Sequence, residues 1–203
     1  MYMMSKFCRS LFGRSQRLSR GFSLLEVVIT LAIISILTVM VMTRYGSFNS
    51  AVLLKNQAYE VALDVREAQT FAINARSDVG EDTFRDGYGI YFDMSDRQTY
   101  LFWRDEDGSN RYTDGDDTSL NRIGIDTRFR IREICIDGGS GCTTAQRLSV
   151  AFVRPNFDAV IYQHNGSGWS RAELVEIRIE SVDDPTAATR SVLLTSTGQI
   201  AVQ

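Results

Sequence analysis

From Phe22 to Met42 the chain runs 21 residues with a single ionisable side chain, Glu26. At ~1.5 Å per residue a helix of that length reaches about 31 Å, which matches the ~30 Å hydrocarbon core of a bilayer. The pattern then changes to a helical period. Between residues 47 and 78, Leu54, Ala58, Val61, Val65, Ala68, Ala72 and Ala75 recur at alternating spacings of four and three, the mark of one apolar stripe. Asn56, Glu60, Asp64, Glu67 and Asn74 fall on another arc and read as its solvated face. Because the stripe is rich in Ala, a sheet can approach it closely. Gly46, beside Ser47 and Asn49, is placed for a bend between the two segments.

After Asp78 the period becomes two, and eight strands are predicted: Gly87–Asp93, Gln98–Trp103, Arg128–Ile136, Arg147–Val153, Asp158–Gln163, Leu174–Ser181, Arg190–Thr195 and Gln199–Val202. Val175, Ile177 and Ile179 alternate with Glu176, Arg178 and Glu180, as in a half-buried strand. Turn chemistry separates the runs at Gly138–Gly141, Asn165–Gly168, Asp183–Pro185 and Ser196–Gly198. The fold class expected is α+β, a long helix followed by a mainly antiparallel β head.

Charge orients the chain. Its 203 residues carry a formal net charge of −3, yet residues 1–20 hold Lys6, Arg9, Arg14, Arg17 and Arg20 and no acid. The remainder therefore has 17 basic against 25 acidic residues, a formal −8. Basic residues ahead of the apolar run predict a cytoplasmic leader and an exported head. With 44% apolar and 23% charged residues the composition is that of a globular chain, and a mean hydropathy of −0.13 excludes a multi-span membrane protein. A cleaved secretory signal would have a shorter apolar core and a small-x-small site after it. An ordinary anchor fits the length but leaves Glu26 unexplained, since a carboxylate inside the membrane costs roughly 2.5–3.5 kcal/mol and marks a function.

The run Arg20-Gly21-Phe22-Ser23-Leu24-Leu25-Glu26, with the apolar stretch behind it, resembles the processing site of type IV prepilins and type II secretion pseudopilins. Leu63–Arg76 and the closing Thr189–Gln203 are similar to the GspH/FimT-type minor pilins. The resemblance implies a pilin-like fold, with the long helix packed on the β head. It also implies cleavage between Gly21 and Phe22 by a prepilin peptidase, N-methylation of Phe22, and a register role for Glu26. The implied domains are a leader at 1–21, an assembly helix at 22–45, an amphipathic helix at 46–78 and a head at 79–203. A cationic amine created at Phe22, the subunit's own or a neighbour's, would offset the buried Glu26 carboxylate. The leader is longer than in many major pilins, and Thr43 stands where those often carry a helix-bending Pro, departures that fit a minor subunit better. The partners implied are the peptidase, other pilin or pseudopilin subunits, the inner-membrane assembly platform and the cytoplasmic membrane, and the location is that membrane and then a pilus or pseudopilus. The reading from a different class is a single-span anchored binding or enzymatic domain that never polymerises.

Within the head, Cys135 and Cys142 bracket a Gly/Ser loop in an exported segment, where oxidising conditions favour a disulfide over two free thiols; Cys8 would leave with the leader. The acidic run from Asp105 to Asp117 offers Asp105, Asp107, Asp114 and Asp116 as oxygen donors for calcium, and no other cofactor is expected. It lacks an EF-hand pattern, and the competing reading is a solvated hairpin loop between Trp103 and Ile123. Two thiols and one distant His argue against a zinc centre. No catalytic motif is present, so no enzyme is expected, and His164 reads as a turn residue. Trp103 and Trp169 read as packing residues, with a sugar platform as the lesser alternative. Nucleic acid is disfavoured: the tail after Gly198 has no cation, and Arg122, Arg128, Arg130 and Arg132 form the one basic cluster.

Overall fold

A computed structural model describes residues 21–74, 87–137, 142–153, 157–183 and 189–203, with no side-chain description for 43–49. The chain divides into two compact units between Tyr45 and Gly46. One helix, α1 (Leu24–Ile73), is assigned through that boundary, and its helical assignment continues across Gly46. Of the stripe read from the sequence, Leu54, Ala58, Val61, Val65, Ala68 and Ala72 are all at most 2% exposed; Ala75 lies outside the described residues.

In the unit that starts at Gly46, eleven strands follow the helix among the described residues. They are β1 (Gly87–Asp93), β2 (Thr99–Asp105), β3 (Thr118–Gly124), β4 (Phe129–Ile136), β5 (Thr143–Thr144), β6 (Arg147–Phe152), β7 (Ala159–His164), β8 (Trp169–Ala172), β9 (Leu174–Ser181), β10 (Arg190–Thr195) and β11 (Ile200–Val202). Every pairing is antiparallel. They form a six-stranded sheet of order β3-β2-β1-β6-β7-β8 and a five-stranded sheet of order β11-β10-β9-β4-β5. All eight expected strands are present within two residues at either end. The expectation of a bare hairpin loop from Trp103 to Ile123 is corrected: β2 runs on to Asp105, and Thr118–Gly124 forms edge strand β3. β5 and β8 are likewise short edge strands that alternation did not mark.

One core joins the helix stripe to the inner faces of both sheets. Tyr88, Ile90 and Phe92 of β1 and Leu148, Val150 and Phe152 of β6 contribute from one side. Ile131 and Ile134 of β4, Val175, Ile177 and Ile179 of β9, and Val192 and Leu194 of β10 contribute from the other. Polar residues on the helix lock the packing. Gln57 Oε1 accepts the Asp126 backbone N–H at 3.1 Å, the Tyr100 hydroxyl donates to Asp64, and Gln69 Nε2 donates to the carbonyls of Phe157 at 2.9 Å and Gly198 at 3.2 Å.

Candidate functional site

Gly21 and Phe22 precede the helix. Among the described residues, no heavy atom lies within 4 Å of where a Cβ on Gly21 would sit, and Phe22 is 80% exposed. Ser23 then acts as N-cap: its carbonyl accepts the Val27 N–H at 3.2 Å and Leu24 is the first helical residue. Ser23-Leu24-Leu25-Glu26 has the spacing of a capping box and places Glu26 in the first turn, where unpaired N–H groups and the helix dipole favour an anion. S-x-x-E is the sequence signal for this second role of Glu26, beside that of a partner for an amine.

Leu24–Met42 forms 19 residues of mean hydropathy 2.7, none of them buried, and is long and apolar enough to cross a membrane. Its three hydroxyls are satisfied along the helix itself. Thr30 donates to the Val27 carbonyl at 2.9 Å, Ser35 to Leu31 and Thr38 to Ile34, both at 2.8 Å. Glu26 is therefore the only ionisable side chain of an otherwise internally satisfied apolar rod.

On the head, the register of β1, β2 and β6 puts Gly89, Trp103, Asp105 and Ser149 on the outer face of the six-stranded sheet, away from the shared core. Trp103 is nevertheless fully buried, because residues 106–117 fold back over it. Tyr112 sits edge-on to its ring at 5.8 Å and against Tyr91 at 4.8 Å, and the Tyr112 N–H donates to Ser149 Oγ at 3.1 Å. Gly89 is required beneath the indole, since a Cβ there would lie 2.9 Å from Trp103 Nε1 and 2.2 Å from the Val150 carbonyl.

Of the acids proposed from the sequence, Asp105 and Asp107 come together, and the third carboxylate is that of Asp117; Asp114 and Asp116 are not in the cluster. Adjacent acids in a loop cannot be ranked without the fold. Burial first, and the Asp107 carboxyl second, push Asp105 up to about 6. Burial also raises Asp117, whereas hydrogen bonds from Ser109 hold Asp107 low against the opposing effect of desolvation.

Beside the loop lies a groove of about 490 Å³ that includes Tyr91, Asp93, Asp96, Arg122, Arg147 and Trp169. Four of its charges form two pairs: Arg147 lies 3.3 Å from Asp93 and Arg122 lies 3.4 Å from Asp96. Burial, then Asp93, pushes the Tyr91 hydroxyl up to about 12.

The remaining arginines of the basic cluster are also engaged. Arg128 pairs with Asp126 at 2.7 Å, Arg130 with Glu180 at 2.8 Å, and Arg132 reaches Glu133 and Glu180 at 3.9 Å across a bulge in β4. Cys135 and Cys142 form a disulfide with Cα atoms 5.0 Å apart.

Comparison with known families decides the reading of the first segment. Residues 16–42 match the family model described as the prokaryotic N-terminal methylation motif. The chain carries the hallmark of type IV pilin-like and pseudopilin proteins. No curated protein and no solved structure matches it. The motif covers Gly21, Phe22 and Glu26 together with the whole apolar rod, and supports a pilin-like precursor processed by a prepilin peptidase. It points to a structural rather than an enzymatic protein, and motif and rod together fit a membrane-anchored pilin.

Proposed function

We propose that the chain is a structural minor pilin or pseudopilin subunit. A prepilin peptidase cuts it on the cytoplasmic side between Gly21 and Phe22, and the new amine at Phe22 is methylated. The subunit waits in the cytoplasmic membrane through its apolar rod with the head outside. It is then drawn by an assembly platform into a pilus or type II secretion filament. Packing of rods against one another replaces their lipid contacts in such a filament, because an apolar rod drawn out of the membrane would otherwise meet water. Glu26 sets the register, because a charge in that packing is tolerated only opposite a cation. The observation that carries the reading is the methylation motif lying on an unburied apolar helix whose sole charge is Glu26.

N-terminal peptide mass spectrometry on protein from its native membrane tests the first step. A peptide beginning at N-methylated Phe22 is the expected result; retention of residues 1–21 beside an active prepilin peptidase overturns the proposal. Glu26→Gln and Glu26→Ala test the second step. Gln keeps the S-x-x-E/Q cap but removes the charge, so both variants should insert in the membrane yet lose filament incorporation, measured in sheared filament fractions. Incorporation of Glu26→Gln at the wild-type level would reduce Glu26 to a cap, and a head function that survives both variants would favour a tethered module.

A further inference from the structure

The loop between β2 and β3 contains more oxygen donors than its own hydrogen bonds use. Asp105, Asp107 and Asp117 each offer a carboxylate oxygen, and these atoms all lie within 4.8 Å of one another. Asp117 is occupied on both sides, with Oδ1 accepting the Glu106 N–H at 3.1 Å and Oδ2 the Thr113 N–H at 2.7 Å. Asp105 is not. It is 2% exposed, its Oδ2 accepts the Asn110 N–H at 3.0 Å, and its Oδ1 is buried with no donor. Asn110 Oδ1, in the same loop, is a second buried oxygen with no donor. A buried acceptor normally finds a partner, and two bare oxygens in one loop of clustered carboxylates call for a positive centre.

Among the described residues, no ion pair to Asp105, Asp107 or Asp117 supplies that centre. Arg104 is paired with Glu106, and Arg111 lies over the Tyr162 ring, 5.6 Å from its centroid, from where its charge acts on Asp107 alone of the three. Gly108 at φ +72° and Asn110 at φ +60° turn the loop tightly enough to bring its acids back on themselves.

We propose that Asp105, Asp107 and Asp117 bind a calcium ion, with Asn110 Oδ1 as a further donor. All donors are oxygens, which selects a hard cation over zinc or copper, and an irregular loop with several carboxylates suits calcium's flexible coordination by six to eight oxygens better than magnesium's strict octahedron. The ion would clamp the loop that covers Trp103 and carries Tyr112, Thr113 and Asp114 to the wall of the neighbouring groove. The proposal stands independently of how the apolar rod is used.

The test is thermal unfolding of the full-length detergent-solubilised protein after EDTA treatment, read by tryptophan fluorescence while CaCl2 is titrated. Wild type should gain about 5–10 °C in Tm at ~100-fold excess over Kd, with saturation in the range of about 10⁻⁶–10⁻³ M. MgCl2 should give a smaller shift. Asp107→Asn, an exposed position that leaves the core untouched, should lose most of the calcium response, whereas Asp116→Asn should keep it. A wild type that does not respond to millimolar calcium overturns the proposal. So does an Asp107→Asn variant that responds like wild type, since the ion would then bind elsewhere.

Discussion

Gly198 shows how much of the head depends on a single missing side chain. It sits at φ +78° in the turn between β10 and β11, and a Cβ there would lie 2.0 Å from the Phe157 carbonyl oxygen and 2.8 Å from Gln69 Nε2. That amide bonds the same Phe157 carbonyl and the carbonyl of Gly198 itself, so helix, turn and loop meet at this point. Gly198→Ala must therefore strain the backbone and push the clamp apart, a cost of about 2–4 kcal/mol. Gly124 is the internal control, because a Cβ there meets nothing within 4 Å. Thermal melts should show Gly198→Ala falling by roughly 4–16 °C and Gly124→Ala changing by less than about 2 °C. Equal melting temperatures for the two variants would mean that the turn does not brace the helix.

At the scale of elements, the disulfide joins the end of β4 to the start of the two-residue strand β5. Such a short strand cannot hold its register by side-chain burial, since Thr143 and Thr144 are both exposed. Closing the loop from Cys135 to Cys142 removes chain entropy worth roughly 2–3 kcal/mol. Cys135→Ser with Cys142→Ser should lower Tm by about 4–12 °C, and reducing the wild type with dithiothreitol should reproduce most of that shift. The same contrast explains what could be read in advance. The helix stripe and β1, β9 and β10 were legible because each carries apolar residues at its own period and buries them. β3, with Thr118, Asn121 and Arg122 among its residues, and β8, with Ser170 and Arg171, are sheet edges whose residues are mostly polar and exposed, so no apolar periodicity marks them. Two sheets rather than one, the bulge at Arg132, and the folding of residues 106–117 over Trp103 are set by contacts distant in sequence. For that reason nothing in the local sequence separates Asp117, a member of the carboxylate cluster, from its neighbour Asp116.

The stability of the whole head should depend on acid in a definable way. On the outer face of the five-stranded sheet, Arg178 of β9 donates to Glu133 Oε1 on β4 at 2.9 Å and to Glu176 Oε2 on its own strand at 3.0 Å. The hydrogen bond from Arg178, set against desolvation and helped by Ser191 of β10, holds Glu176 below its ordinary value of 4.5. A carboxylate with a lowered folded-state value binds a proton more readily when unfolded. Its stabilisation is therefore complete above the unfolded value and is lost as pH falls below about 4.5 towards the folded value. Asp105 and Asp117 are shifted upward and oppose this trend, so the comparison that isolates the network is wild type against Arg178→Met, in which their contributions cancel. Arg178→Met leaves two half-buried carboxylates without their shared cation and should cost roughly 1–3 kcal/mol at pH 7. Between pH 5 and about 3 the two Tm curves should converge, because protonated Glu176 no longer needs the guanidinium. A difference in Tm that stays constant across this range would show that Arg178 acts by packing its aliphatic stem rather than by its charge.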